Sequence, residues 1–321
     1  MLVAALALAA AFTPAAHGAR ADDHPPVVLV TSDCTASNFI CGPFLRELRR
    51  SGVRGRIISP DDREDPVGTL SLLARQGYRL IIVDILHAYA LKTVAPRFPH
   101  TRFAVFDGSF DLLGVNPPPR NVQEIVQQPR DAAYLAGWLA ARLEQRRKGK
   151  DVVGAVGGVA VPPVQDFITG FSAGARAADP GIRVIVEYSD DFADPNKCAA
   201  IARSQIAQGA GVVFNVAGVC GLGTLAAAKK AGVWGIGVDS DQSFLGPHIL
   251  TSVIKGFDAG FNVLLTQVRR GKIRVSGTTE LGLREGGARL GRISPSVPAA
   301  LRAEIARLRR RIIDGDLHVS S

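Results

Sequence analysis

Apolar runs of strand length alternate with helical patterns along almost the whole chain. Such alternation is typical of βαβ units, which form a parallel sheet covered by helices. One series of predicted strands comprises VVLV, RIIS, LIIVD and FAVFD, and a second comprises VVGAVGG, RVIVEY, GVVFNVAG, WGIGVD and ILTSVIK. Two separate series predict an α/β fold with two doubly wound parallel-sheet lobes.

The two predicted lobes are joined by several chain crossings that form a multi-strand hinge. With 321 residues, the chain is long enough for two separate cores. A helix over 298–313 carries an apolar stripe and is expected to pack on the second lobe. We expect a ligand between the lobes, because domain interfaces are preferred places for small-molecule sites. The predicted divisions are a signal peptide at 1–21, an N-terminal lobe at 22–128 plus 253–278, and a C-terminal lobe at 129–252 plus 279–321.

Polar residues and glycines stand where several predicted strands end. Asp107 ends FAVFD, Asp239 ends WGIGVD, and Lys255 ends ILTSVIK. Gly218 opens a glycine-containing loop ahead of an alanine-rich helix, where backbone amides can approach a ligand closely. In open parallel sheets, ligands bind beyond the carboxyl ends of the strands. The pattern therefore predicts the capture of a small polar molecule.

The first residues indicate an exported protein. Residues 1–16 are almost wholly apolar, and Ala19-Arg20-Ala21 fits the small-x-small pattern of a signal-peptide cleavage site. This run is shorter than the ~20 residues that a membrane-spanning helix needs. A frayed apolar N-terminus is the alternative. We expect a mature chain that starts near Asp22 and works in the periplasm or outside the cell.

Four cysteines accompany this predicted export: Cys34, Cys41, Cys198 and Cys220. Disulfides persist in exported proteins, and closeness in sequence favours Cys34 with Cys41 and Cys198 with Cys220. Four cysteines nevertheless allow three pairings, and the sequence does not choose between them. Metal binding is the weaker interpretation, since the chain has no CxxC pair and no histidine at zinc-like spacing from a cysteine. We expect no metal and no cofactor.

The charge pattern argues against a nucleic-acid partner. The net charge is +9, but the basic residues are scattered, with clusters only at 46–56, 142–150 and 302–311. A nucleic-acid reader is expected to gather them on one stripe with aromatics or a reading helix. The arginines of the last cluster are interpreted as the solvated face of the C-terminal helix.

Two short motifs are shared with enzymes. Residues 170–174, GFSAG, fit the nucleophile elbow GxSxG, which needs its serine at a sharp turn directly after a strand. Here the surrounding residues have helical spacing, so close helix packing is the better interpretation. Residues 252–255, SVIK, fit SxxK, but the companion motifs KTG and SDN are absent and the segment is strand-like. We expect no catalytic residues.

Longer segments carry a family resemblance. From about residue 27 to residue 319 the chain resembles the basic membrane protein family of ABC-transporter substrate-binding proteins, also called purine nucleoside receptors. The matching segments, in order, include FAVFDG, NVQEIVQQPRDAAYLAGWLAA, VGAVGG, FITGFSAGARAADPGIRV, FADPNKCA, NVAGVCGLGTLAAAKKAG, GVDSDQ, LTSVIKGFDAG and IIDGDLHV. The resemblance implies a type I periplasmic-binding-protein fold, a nucleoside-like ligand, an ABC permease and ATPase as partners, and a monomer.

The resemblance also implies roles for individual residues. Phe39, with Asn38 beside it, and Phe192 match ligand positions, and the two rings are expected to sandwich a base; ordinary core packing is the alternative for both rings. Asp107 is assigned to the base edge, and Asp239 to both hydroxyls of a ribose. Lys255 is expected near Asp239, where it would keep that carboxylate ionised; an interlobe salt bridge between the two is the alternative. Gly218 is expected at a ligand contact.

The chain departs from the family pattern in the N-terminal site loop. The family has an acid and an amide where this chain has Ala36 and Ile40, so we expect weaker or altered reading of the base edge. The usual lipid-attachment cysteine is also absent, since the first cysteine is Cys34. Two other functions stay open: a ligand-sensing domain that signals to a membrane kinase, and a nucleoside-cleaving enzyme. The enzyme would rely on the acids at 190, 191 and 194, which are better interpreted as caps of the following helix.

Overall fold

A computed structural model describes residues 25–31, 34, 40–60, 65–147, 149 and 151–319 of the chain. The predicted signal peptide and two predicted site residues, Asn38 and Phe39, lie outside the described residues. Among the described helices, none combines the length and the apolar character required to cross a membrane.

Strands and helices alternate throughout the described residues. The strands are β1 Val27–Val30, β2 Gly55–Ile58, β3 Leu80–Asp84, β4 Arg102–Phe106, β5 Val122–Gln127, β6 Val152–Gly157, β7 Arg183–Tyr188, β8 Ala210–Val216, β9 Trp234–Asp239, β10 Ile249–Lys255, β11 Gly277–Leu281 and β12 Ala288–Leu290. The helices are α1 Cys41–Ser51, α2 Pro66–Arg75, α3 Ile85–Ala88, α4 Leu91–Val94, α5 Arg130–Glu144, α6 Pro162–Ala178, α7 Pro195–Ala207, α8 Gly221–Ala231, α9 Phe257–Arg269 and α10 Ala299–Asp314.

These strands form two sheets of six strands each. The first sheet has the order β11-β5-β4-β3-β1-β2, and the second has the order β12-β10-β9-β8-β6-β7. All pairs of the first sheet are parallel, and in the second only β12 is antiparallel, to β10. The predicted α/β fold is confirmed. When the two strand orders are aligned position by position, β4 corresponds to β9 and β5 corresponds to β10.

Continuous apolar runs predicted the strands well, because the central strands are buried on both faces. Every residue of β1, β3, β6 and β8 is buried, as expected for parallel strands covered by helices. The chain crosses between the sheets after Gln127, after Lys255 and after Leu281. The predicted boundaries at 252/253 and 278/279 fall inside β10 and β11, so sheet membership moves both crossings three residues toward the C-terminus.

Glycines hold α5 and α6 of the second lobe in close contact. A Cβ atom at Gly174 would collide with the carbonyl oxygen of Tyr134, and one at Gly137 with that of Phe171. Ser172 is buried in the middle of α6 rather than at a turn after a strand. The interpretation of GFSAG as a helix-packing motif is therefore confirmed.

Two further predictions about local structure, the disulfide pairing and the packing of the C-terminal helix, agree with the described residues. Disulfides join Cys34 to Cys41 and Cys198 to Cys220, which confirms the pairing that sequence closeness favours. Helix α10 packs against the core of the second lobe through its predicted stripe, with Leu301, Ile305 and Leu308 buried and Ile312 partly buried.

Candidate ligand-binding cleft

Strand ends from both lobes line one cavity of about 220 Å³. Asp107 follows β4 of the first sheet, while Asp239 and Lys255 end β9 and β10 of the second. We call this cavity the aromatic chamber, and its lining includes Asp107, Phe167, Phe192, Gly218, Asp239 and Lys255. Five of the seven predicted ligand-binding residues therefore lie around one space.

Asp107 and Asp239 occupy corresponding positions in the two lobes. Each stands at the carboxyl end of a corresponding strand, and each has a left-handed backbone, with φ of 60° and 62°. Residues other than glycine rarely adopt positive φ, although aspartate does so more often than most. Backbone strain of this kind is concentrated at functional sites. The repeated conformation presents one carboxylate from each lobe to the same cavity.

Lys255 joins the two lobes through Asp107. Its Nζ donates a hydrogen bond to Asp107 Oδ2 at 2.9 Å, and the two side chains are 12% and 22% exposed. Its ammonium also lies 5.8 Å from the centre of the Phe167 ring, within cation–π range. As predicted, Lys255 lies near enough to Asp239 for their charges to interact, but its hydrogen bond goes to Asp107. The interlobe ion pair exists, but with the other aspartate.

Burial controls the protonation of this cluster. Burial raises the pKa of Asp239 and outweighs the opposing attraction of Lys255, so the cation does not fully offset the cost of ionisation. Burial likewise raises the pKa of Asp107 despite its ion pair. Burial lowers the pKa of Lys255, but the two carboxylates more than reverse this, and the net pKa is raised. The cavity thus holds one cation and two carboxylates whose ionised forms are costly to bury. Additional hydrogen-bond donors in the cavity would stabilise these carboxylates.

Phe192 presents its ring to the aromatic chamber. The side chain is 44% exposed, so the alternative of ordinary core packing is wrong for this residue. The backbone amide of Cys220 donates to the carbonyl of Phe192 at 2.9 Å, and the disulfide of Cys220 with Cys198 fixes the same loop. Gly218, with φ of 55°, packs beside the ring, where a side chain would be strained. These contacts hold a large aromatic surface at the edge of the cavity.

Sequence reasoning missed one residue that lines this cavity, Phe167, and one that acts on Asp107 from outside the lining, Asp84. Phe167 lines the chamber from α6, yet its helical spacing indicated only a core position. Asp84, at the end of β3, lies buried with its Oδ1 2.6 Å from His87 Nδ1. Burial raises the pKa of Asp84, but hydrogen bonds and charge from His87, with help from Thr31, bring it below its ordinary value. Asp84 in turn contributes to the raised pKa of Asp107.

The acidic run before α7 has a structural role. Asp194 caps α7 by accepting a hydrogen bond from the amide of Asn196 at 2.9 Å. Asp191 accepts from the amides of Ala193 and Asp194 and from Lys197 Nζ. The capping interpretation is confirmed for Asp194. Within the described parts of the chain, no group of three or more His, Cys, Asp or Glu residues could hold a metal ion.

Comparison with protein families identifies the chain. The model of the Bmp family, described as "ABC transporter substrate-binding protein PnrA-like", matches residues 46–321. The chain belongs to this family. As a Bmp-family protein it is an ABC transporter substrate-binding protein, and the resemblance drawn from the sequence segments is confirmed.

Curated relatives of this Bmp-family chain are bacterial. It is 31% identical over 268 residues to the CD4+ T-cell-stimulating antigen of Listeria monocytogenes, a match that covers 78% of this chain and 72% of the relative. It is 27% identical over 266 residues to the ABC transporter nucleoside-binding protein BmpA of Lactococcus lactis, covering 77% of this chain and 72% of the relative.

Solved structures support the fold. An ABC transporter solute-binding protein from Aeropyrum pernix superposes with a TM-score of 0.74 at 22% identity, covering 91% of this chain and 92% of that one. A transcriptional activator of the comK gene from Bacillus halodurans superposes with a TM-score of 0.78 at 20% identity, covering 92% and 99%. Identities this low speak only to the fold.

Proposed function

We propose that this Bmp-family protein captures a nucleoside-like molecule between its lobes and delivers it to an ABC permease and ATPase. The observation that carries the proposal is the meeting of Asp107, Phe192, Asp239 and Lys255 around one cavity between the two sheets. A nucleoside has a flat face, a polar base edge and a ribose diol. The cavity offers a partner of matching chemistry for each.

Phe192 supplies the aromatic ring on which the base of the ligand stacks. Stacking of a base on an aromatic side chain is worth ~0.5–1.5 kcal/mol beyond the burial of its area. The second ring of the predicted sandwich, Phe39, lies outside the described residues and stays a prediction. Gly218 keeps the backbone beside Phe192 open to the ligand.

Three residues at or just after strand ends, Asp107, Asp239 and Lys255, supply the polar contacts to the ligand. Asp107 accepts from the base edge, and Asp239 accepts from both hydroxyls of the ribose. Lys255 adds a charge-assisted donor, the stronger kind of hydrogen bond. Donors from the ligand relieve the cost of two buried carboxylates, and this relief favours the liganded state. One relative bears the name nucleoside-binding protein, which agrees with this assignment.

Binding is coupled to a hinge motion and not to a chemical step. Three chain crossings join the sheets, and closure around a ligand at such crossings is a common response of two-lobed proteins. Groups from both lobes contact the ligand, so the ligand prefers the closed state. In this proposal the protein works as an exported monomer, and its ligand leaves unchanged.

Calorimetry tests the proposal directly. Purified protein is titrated with adenosine, guanosine, inosine and the free bases, and each mixture is chromatographed afterwards. The account predicts binding heat with at least one nucleoside, weaker binding of the free base because the diol contact is lost, and recovery of the intact nucleoside. Absence of heat with every nucleoside removes the nucleoside assignment, and the appearance of free base removes the assignment as a pure receptor.

A further inference from the structure

A second cavity adjoins the aromatic chamber. It has a volume of about 240 Å³, and we call it the amide chamber; its lining includes Asp107, Ser109, Gln127, Arg130, Asp166 and Lys255. The two chambers share Asp107, Leu112, Pro163 and Lys255. Each alone is smaller than the ~300 Å³ at which small-molecule pockets usually begin. Side by side, they suit a ligand that extends past Asp107 from one chamber into the other.

The amide of Gln127 has no hydrogen-bond partner among the described residues. The residue is 5% exposed, and neither Oε1 nor Nε2 makes a hydrogen bond within the described part of the chain. A buried amide without partners has lost its hydrogen bonds to water and gained none in return, so native proteins keep few of them. Gln127 lines the amide chamber, but its two amide atoms are sealed from solvent. A ligand that displaces the neighbouring side chains, or enters while the lobes are apart, can supply both missing hydrogen bonds.

Gln127 and Lys255 hold corresponding places in the two lobes. Each is the last residue of the strand next to an aspartate-bearing strand, β5 beside β4 in one sheet and β10 beside β9 in the other. Each lobe therefore offers an aspartate in the left-handed conformation with a polar side chain next to it. Lys255 already has a role in the ion pair, whereas Gln127 is unused.

The charges around the amide chamber are compensated. Lys255 pairs with Asp107, and Arg130 pairs with Asp166 at 2.6 Å. Among the described residues that line the chamber, no cation is left without a carboxylate to receive a phosphate or another anion. The chamber therefore suits a neutral group that both donates and accepts hydrogen bonds.

We infer that Gln127 reads the polar edge of the ligand's base, an inference that rests on the proposed nucleoside function. A glutamine amide presents a donor and an acceptor side by side, the arrangement that pairs bidentately with the edge of a purine. In the lactam of hypoxanthine or guanine, N1–H donates to the glutamine Oε1 and O6 accepts from its Nε2. In this refinement Gln127 replaces Asp107 as the group that contacts the base edge, and the ligand class is narrowed to nucleosides whose base carries such an edge.

The test compares two ligands and two variants by calorimetry. Inosine carries the lactam edge, and purine riboside has the same ribose and ring but lacks O6 and N1–H. Gln127→Met removes the amide at nearly constant shape, and Gln165→Met makes the same change at an exposed position of α6. We expect Gln127→Met to lose roughly tenfold or more in affinity for inosine and to bind purine riboside as the wild type does. Gln165→Met should match the wild type with both.

Thermal unfolding of the ligand-free variants provides the second readout. Because the amide is orphaned, Gln127→Met should leave the unfolding temperature unchanged or raise it. An equal loss with both ligands would mean that the amide pairs with protein upon closure, and this would overturn the inference. Unchanged affinity for inosine would overturn it as well, with the proposed function intact. If the wild type binds no nucleoside, the proposed function fails and the inference fails with it.

Discussion

At the scale of single residues, the cleft is lined by groups whose burial or backbone conformation costs free energy when no ligand is bound. Asp107 and Asp239 are ionisable groups whose pKa is raised by burial, and both adopt a left-handed backbone. Evolution does not keep such features for stability, since both destabilise the fold. Their presence at corresponding strand ends is explained by a ligand that supplies the missing donors.

Asp239→Asn separates stability from binding. Because burial raises the pKa of Asp239, the folded state holds its proton more tightly than the unfolded state does. The stability of the protein without ligand therefore falls as the pH rises from the ordinary carboxyl pKa through the raised value. The variant should lose the part of this dependence that comes from Asp239 and keep the part that comes from Asp107, whose pKa is also raised. At pH 7 it should be at least as stable as the wild type in urea.

The same variant should bind inosine roughly tenfold or more weakly, because a hydrogen bond to a charged group is worth about 1.5–3 kcal/mol. Asp314→Asn, at the exposed end of α10, is the matched control. The wild type should prefer inosine to 2′,3′-dideoxyinosine, and Asp239→Asn should lose most of that preference. A preserved preference would show that another group holds the diol.

Four of the predicted residues around the cavity, Asp107, Gly218, Asp239 and Lys255, stand at or just after strand ends, and parallel strands of one sheet end at one edge. Phe192 was predicted only through the family resemblance, because the residue pattern alone favoured core packing. Gln127 was not predicted as a site residue because it lies among other polar residues in NVQEIVQQ. Nothing in that pattern distinguishes a buried amide from a solvated one. The correspondence of Gln127 with Lys255 becomes visible only when the two sheets are aligned. Phe167 was not predicted to line the cavity, because helical spacing predicts burial but does not show which helix face borders a cavity.

At the scale of elements, apolar runs predicted the strands well and their sheet membership less well. Strand β10 belongs wholly to the second sheet and β11 to the first, although the predicted boundaries divide both. A strand buried on both faces has the same apolar composition in either lobe. Only pairing partners decide the matter, and the pattern of a single strand does not encode them.

The contact between α5 and α6 supports a prediction at this scale. Gly174→Ala would place a methyl group against the backbone of Tyr134, which cannot retreat as a flexible side chain can. We expect a loss of about 1–3 kcal/mol in the free energy of unfolding, measured in urea. Gly42→Ala in α1 is the control, since among the described residues its added methyl meets the end of a flexible side chain, the guanidinium of Arg46 at 3.3 Å, and no backbone. Equal stability of the two variants would contradict close packing at this glycine.

At the scale of the whole molecule, two similar halves face each other across the chambers. The sequence predicted this arrangement from two series of strands, and the family match places it among ABC transporter substrate-binding proteins. The relative orientation of lobes with and without ligand lies beyond any sequence pattern, because it depends on the difference in affinity between open and closed states.

A crystal structure of the protein with inosine tests the central claim most directly. The account predicts one inosine in the joined chambers, its base against Phe192 with its edge toward Gln127, and its ribose hydroxyls on Asp239. Relative to the ligand-free protein, the lobes should rotate toward each other about the crossings after Gln127, Lys255 and Leu281. Inosine bound outside the chambers, or inside them without a contact to Asp107, Asp239 or Lys255, would contradict the account.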